Sequence, residues 1–266
     1  MSKLTQSLNK IKNLDELSEG QTWVHSLHPM AKMITTAFYL VVVISFDKYD
    51  ISGMIPFFLY PILIMSLGEI PYGLVLSRLL VALPFSFFAG LSNLFLDRQI
   101  VFMLFQVPVT YGLLSFFSII LKTVLTVMSV LILIATTPMD KISHELIQKK
   151  VPKIFIVQMM LTFRYLRLIM SEAGHMVTAY HLRSLKQKGI QLHHAGSFLG
   201  QLLLRSFDKA DRIYFAMKCR GYQGDFPNAV SESMKWKDTV YWILLCSLFL
   251  LLRFVNFSLL IGTAIG

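Results

Sequence analysis

The residues from Tyr111 to Thr136, "YGLLSFFSIILKTVLTVMSVLILIAT", carry a single charged side chain, Lys122. Spanning the roughly 30 Å of bilayer hydrocarbon takes about 20 helical residues. In lipid every backbone N–H and C=O must be satisfied within the structure, so a run this long and apolar is constrained to be a helix. Four further apolar runs share its character: Ala31–Phe46, Ile51–Leu67, Leu79–Leu96 and Val240–Leu260. Pro56 and Pro61 interrupt the second of these and Pro84 the third. Such prolines are tolerated where neighbouring helices serve the carbonyls they free.

The composition agrees. Of 266 residues 55% are hydrophobic and only 15% charged, with mean hydropathy +0.61. Soluble chains carry about 25% charged residues. The expected fold is therefore an all-α integral membrane protein with about five transmembrane helices. Met1–Gly20 is polar and lacks the apolar core of a cleavable signal, so none is expected. Cys219 and Cys246 lie in segments of opposite character, so a disulfide scaffold is excluded and both read as small apolar residues. The stretch Ile100–Val109 is too short to cross alone and reads as a re-entrant or interfacial piece.

Charge is distributed unevenly. Asp140–Asp238 holds 16 Lys/Arg against 8 Asp/Glu, which is +8 of the chain's +10. A basic block beside membrane spans belongs on the cytoplasmic side. Four spans before it then place the N-terminus inside as well. The organisation expected is a cytoplasmic N-terminal segment (1–30), a four-helix transmembrane part (31–137), a cytoplasmic region of long amphipathic helices (138–238) and a C-terminal transmembrane helix (239–266). Lys122, in mid-span, is a functional-site candidate by position. In a run long enough to tilt, a structural role by snorkelling or facing the bundle is the better reading.

Within the block, Ile156, Met159, Met160, Phe163, Leu166 and Met170 recur near helical spacing, and charges interrupt candidate spanning windows. Amphipathic helices at the membrane edge fit better than a deep span. Lys186, Lys188 and Gly189 mark the expected end of the first helix. A second helix is expected from Phe198 to Arg220, with Phe207, Ala210, Tyr214 and Met217 on one face and an Asp208–Arg212 pair away from it. Gly221 suits a left-handed C-terminal cap, and Pro227 blocks early resumption. Each helix thus offers an arginine beside small or apolar residues near its end: Leu182-Arg183-Ser184 and Cys219-Arg220-Gly221. An arginine fork donates two parallel hydrogen bonds to a carboxylate and stays charged. Two such points can dock two equivalent acidic grooves; two solvated helix-end arginines are the plainer reading.

The stretch "LLRSFDKADRIYFAMKCRGYQG" resembles the signature of the transmembrane T component of energy-coupling factor (ECF) transporters. "HPMAKMI", "LPFSFFAGLSNLFLDR", "ATTPMDKI" and "LTFRYLRLIMSEA" match it in order, from about His28 to Phe226. The third span, with Pro84 and "LSNLFLDR", is most similar to the cobalt-specific CbiQ type. The resemblance implies a multi-pass protein of a prokaryotic plasma membrane, set between a substrate-binding membrane subunit and two ATP-binding-cassette ATPases. It implies coupling helices that each end in an Ala-Arg-small motif entering a groove on one ATPase. The coupling residues so implied are Arg183, Ser184, Arg220 and Gly221, supported by Leu182, Tyr214, Ala216, Met217 and Cys219. Here Leu182 and Cys219 stand where the family has alanine, and Ser184 where it has glycine. ATP would be bound by the partner ATPases, and no cofactor by this chain.

Other chemistry finds little support. There is no P-loop, and neither an H-E-x-x-H nor a Cys-x-x-Cys pattern. His193-His194 and the His25, His28 pair can bind a metal in principle, but neighbours in sequence do not face one another on a helix. Glu172 and His175 read as a helix-surface pair rather than a catalytic dyad. The block's aromatics fall among apolar helix positions, not on a basic stacking face, which argues against nucleic acid. Besides cobalt uptake, two readings stay open: the same subunit serving nickel or a vitamin, and a membrane-embedded enzyme using Lys122 or a histidine cluster.

Overall fold

The computed structural model describes residues 17–97, 100–104, 107–149, 151–183, 190–223 and 233–254. They fall into two compact units. One is built from the described residues of Leu17–Pro138 and Glu232–Gly266, the other from those of Met139–Ser231.

The first unit opens with a single turn, α1 (Trp23–Ser26), followed by α2 (Pro29–Ile44). His28 caps α2 by accepting from the Met30 N–H at 3.2 Å, and Pro29 occupies the first helical position, where its missing N–H does no harm. The run with two prolines does not form one continuous α-helix. Ser52–Phe58 is a 3-10 segment containing Pro56, and α3 (Leu59–Leu67) follows it. Pro61 has no N–H to donate to the Phe57 carbonyl four residues back. Tyr39 of α2, fully buried, supplies the donor instead, its hydroxyl reaching Phe57 O at 3.0 Å.

Helix α4 (Tyr72–Leu96) begins seven residues before the apolar run, because Arg78 interrupts the hydropathy without interrupting the helix. Helix α5 (Tyr111–Thr136) has the bounds its sequence announces, with the Thr110 hydroxyl accepting from the Leu113 N–H. The two helices pack closely where small residues let them approach. A Cβ on Gly112 would lie 2.6 Å from Asn93 O and 2.7 Å from Asp97 O. Beside it, Asn93 Nδ2 donates to Ser115 Oγ at 2.9 Å.

The connection between α4 and α5 is an antiparallel hairpin of β1 (Ile100–Leu104) and β2 (Val107–Thr110), paired Ile100 to Thr110 and Leu104 to Val107. The interfacial piece expected here is therefore extended. A hairpin lets strands this short satisfy one another's backbone groups, and the described residues between α4 and α5 hold no further span.

The last helix of this unit, α9 (Trp236–Phe254), starts four residues ahead of its apolar run. The expected end at Leu260 lies outside the described residues. Its core contact is aromatic: Phe249 meets Tyr39 and Tyr60 at 5.2 Å each, and Phe57 at 6.2 Å.

Polar side chains tie the two ends of this bundle. At the end adjoining the basic block, buried Asp238 accepts from the His28 N–H and the Lys235 N–H, both at 2.9 Å, the latter capping α9. Lys32, 4% exposed, donates to Thr136 O at 2.8 Å and Val24 O at 3.2 Å. At the opposite end Lys122 donates to Phe46 O at 2.6 Å, serving a carbonyl just past the end of α2. Arg253 stacks 4.2 Å over the Phe46 ring and donates to Ser45 O. Lys122 thus has a structural partner.

In the second unit α6 (Met139–Gln148) precedes two long helices, α7 (Lys153–Arg183) and α8 (Leu192–Cys219). The expected stop at Lys186–Gly189 lies outside the described residues. Helix α8 begins six residues before Phe198. By length and composition alone α4, α5 and α7 are each long and apolar enough to cross a membrane, although interrupting charges had argued against a deep span for α7.

Candidate functional site

Helices α7 and α8 form an antiparallel pair. The Tyr180 ring lies 6.2 Å from that of His194 near the start of α8. Glu172 meets Arg205 at 2.6 Å and Lys209 at 2.7 Å, two turns or more further along. Towards the other end Gln158 and Leu161 share a cavity of about 490 Å³ with Met217 and Tyr222.

This pairing revises the faces read from sequence. On α7 the buried positions are Ile156, Ala173 and Val177, while Phe163 and Leu166 are exposed. On α8 the less exposed stripe is Leu202, Ser206, Lys209, Ile213 and Met217, which shares Met217 with the expected face and is otherwise one position off it. Ala210 and Tyr214 sit at its edge, and Phe207 is 61% exposed. In this arrangement Glu172, with a side chain only 17% exposed, meets Lys209 and Arg205 across the pair, while Phe207 faces outward. Asp208 and Arg212, both exposed, form no ion pair among the described residues. An exposed pair at this spacing gains only a few tenths of a kcal/mol, about 0.3–0.5 kcal/mol. Nor does Glu172 pair with His175 on its own helix.

The Glu172 carboxyl is held at about 2, well below its usual range, by hydrogen bonds from Lys209 first and Arg205 second. Charge-assisted bonds at 2.6–2.7 Å from two cations make this a firm polar link between the helices.

The C-terminus of α8 is closed by backbone geometry. Arg220 is the C-cap and Gly221 follows with φ +81°. The Gly221 N–H donates to Lys218 O at 2.9 Å and the Tyr222 N–H to Met217 O at 3.0 Å. These two bonds define a Schellman motif, and Met217 and Tyr222 line one cavity as its apolar contact requires. A Cβ on Gly221 would meet nothing within 4 Å, so the glycine answers the backbone angle and not a lack of space. Arg220 is thereby fixed at the helix tip with an exposed side chain. Ala216 and Cys219 are exposed too, and the Lys218 ammonium lies 5.2 Å over the Tyr214 ring.

Arg183 is the last residue of α7 and exposed, next to Leu182 at 71% exposure. Ser184 lies outside the described residues. Arg183 shares a cavity of about 510 Å³ with Tyr180, His194 and Arg205, at the start of α8. Because the helices are antiparallel, Arg183 and Arg220 stand at opposite ends of the pair. The separation is about the length of the 28-residue α8, on the order of 40 Å.

The histidines do not converge. His25 Nδ1 lies 2.7 Å from Thr22 Oγ1 and its Nε2 3.4 Å from Ala135 O, while His28 caps α2. Adjacent His193 and His194 rings are 5.3 Å apart. Among the described residues no group of three or more His, Cys, Asp or Glu is placed to hold a metal ion. The Glu172 brace is the element that sequence reasoning missed. Its signal was present as one acid facing two bases four residues apart on the next helix.

Comparison with known proteins sets this geometry in a family. A model described as "Cobalt transport protein", CbiQ, matches residues 20–232. The chain is 24% identical over 242 residues to the energy-coupling factor transporter transmembrane protein EcfT of Streptococcus equi subsp. equi, covering 85% of this chain and 89% of that one. It is 25% identical over 254 residues to the EcfT protein of Bacillus subtilis, covering 89% and 95% respectively. Nickel permease LarQ of Lactiplantibacillus plantarum is 27% identical over 116 residues, 41% of this chain and 42% of that one. With the family match running from the turn before α1 to the segment before α9, this multi-pass prokaryotic membrane protein belongs to the CbiQ cobalt transport protein family, the transmembrane T components of energy-coupling factor transporters.

Proposed function

We propose that this chain is the non-catalytic coupling subunit of an ATP-driven importer. It would join two ATP-binding-cassette ATPases to a substrate-binding membrane subunit, with cobalt ion as the cargo. The observation that carries the reading is the pair of arginines at opposite ends of a braced antiparallel helix pair, one of them fixed at a Schellman-terminated tip. Each arginine is exposed and suited to a carboxylate groove on one ATPase. When the ATPases close on ATP, their grooves approach, and a load applied at both ends of α7–α8 would be transmitted to the membrane helices and the substrate subunit. Arg183 and Arg220 would make the contacts, with Ser184 and Gly221 providing small neighbours. Leu182, Tyr214, Ala216, Met217 and Cys219 would hold the tips. ATP and its metal would be bound by the partners, and this chain would carry no cofactor.

Helix α7 has the hydropathy of a span, but Arg164, Arg167 and Glu172 along it favour the coupling reading. Nickel is the second cargo to weigh, because the nickel permease LarQ is similar over part of the chain. Reconstitution with ATPase and substrate-binding subunits from the same organism tests both readings. ATP-dependent uptake of cobalt in preference to nickel supports the first cargo, and the reverse preference the second. An isolated chain that turned over a membrane substrate would overturn the transport reading.

A further inference from the structure

The first unit contains a groove of about 500 Å³ between the proline-broken segment and α9. Its lining runs along α9 from Trp236 to Leu252, about 24 Å at 1.5 Å per residue. Of the lining side chains only Lys237 carries a charge, and it sits at the end that adjoins the basic block. Trp23 and Trp236 stand at the same end, both exposed. Indoles and a lysine at one end of an apolar channel are the arrangement found at the headgroup level of a membrane. Deeper in, Leu63, Leu244 and Leu248 form the walls, and the Tyr60 hydroxyl is turned away towards Thr36.

We infer that this groove is a binding site for an anionic phospholipid of the cytoplasmic leaflet. One acyl chain would lie between α3 and α9, and the phosphate would sit against Lys237 and the two indole N–H groups. Two features of the groove's mouth select this occupant. Its single charge is positive and lies at the mouth, which complements a phosphate. Asp238, the neighbouring acid, is buried and turned to the His28 and Lys235 N–H groups, and among the described residues it forms no ion pair with Lys237. The inference does not depend on the coupling reading.

The full chain, reconstituted in vesicles of equal phosphatidylglycerol and phosphatidylcholine and re-extracted, tests it by native mass spectrometry of retained lipid. Preferential retention of phosphatidylglycerol is expected. Lys237→Gln should lower the phosphatidylglycerol-to-phosphatidylcholine ratio about fivefold, the equivalent of about 1 kcal/mol for one basic residue at the membrane surface. Leu248→Trp, which fills the groove, should abolish retention of both lipids while leaving the melting of the helical signal intact. Should Leu248→Trp fail to fold, a photoreactive side chain at Leu244 in the assembled complex gives the second readout, with a lipid adduct expected. Equal retention of the two lipids, no effect of Lys237→Gln, or a polypeptide adduct at Leu244 would overturn the site.

Discussion

Glu172 of α7 and Lys209 of α8 meet at 2.7 Å, and Arg205 closes on the same carboxylate at 2.6 Å. This contact ties the two long helices together between the ends that carry Arg183 and Arg220.

Removing the carboxylate charge should therefore loosen the pair without unfolding either helix. With spin labels on Thr178 and Lys218, Glu172→Gln is expected to broaden the inter-label distance distribution, and Glu172→Asp to broaden it less. The pH dependence follows from a carboxyl depressed to about 2 from 4.5. A group depressed in the folded state contributes fully above its unfolded value and loses that contribution as pH falls through the folded one. The distribution should thus be constant from pH 7 to about pH 5 and broaden only in stronger acid, while Glu172→Gln should show no such transition. Broadening between pH 7 and 5 would contradict the brace.

Gly221 is held at φ +81° with open space around it. Gly221→Ala should cost about 1–2 kcal/mol from the left-handed conformation alone. Amide exchange at Tyr222, whose N–H closes the motif, should accelerate by a factor of about 5–30. Gly221→Asn should be milder, since asparagine tolerates this region. Equal exchange in all three proteins would show that the tip is not held by this motif.

How much of this was visible in the sequence differs from element to element. Tyr111–Thr136 could be read to the residue, because an uninterrupted apolar run has one solution in lipid. The proline-broken run was legible as a hydrophobic segment. Its division into a 3-10 turn and a short helix was not, since that depends on Tyr39 reaching across to Phe57. The tip at Gly221 was readable because its chemistry is local. On the packed face of α8 Met217 was legible but Phe207 was not, because the partner helix that this face meets lies elsewhere in the sequence.

Tyr39→Phe isolates that cross-helix contact. It deletes one hydroxyl and leaves the Phe57 carbonyl without the donor that Pro61 cannot be, at an expected cost of about 1–3 kcal/mol. Thermal melting of the purified chain in detergent measures it, and an unchanged midpoint would mean that the carbonyl finds another donor.

Gly112→Ala should destabilise the α4–α5 contact by about 1–3 kcal/mol, because its Cβ would press on two backbone oxygens that cannot rotate away. Gly73→Ala, on the same α4 but with nothing within 4 Å, is the control and should be neutral or slightly stabilising. Similar melting shifts for both would count against close packing at Gly112.

Arg183 and Arg220 are proposed as the two points at which ATPase movement enters this subunit. The proposal is tested by substrate uptake and ATP hydrolysis in proteoliposomes holding the complete complex, with Arg183→Ala, Arg220→Ala and the double variant. Loss of an interfacial charge-assisted contact is worth about 2–5 kcal/mol where the partner is left buried and unpaired. Each single variant should weaken ATPase association or uncouple hydrolysis from uptake, and the double variant should abolish uptake while its membrane helices remain folded. Normal, ATP-coupled uptake by the double variant would show that the two arginines do not carry the coupling.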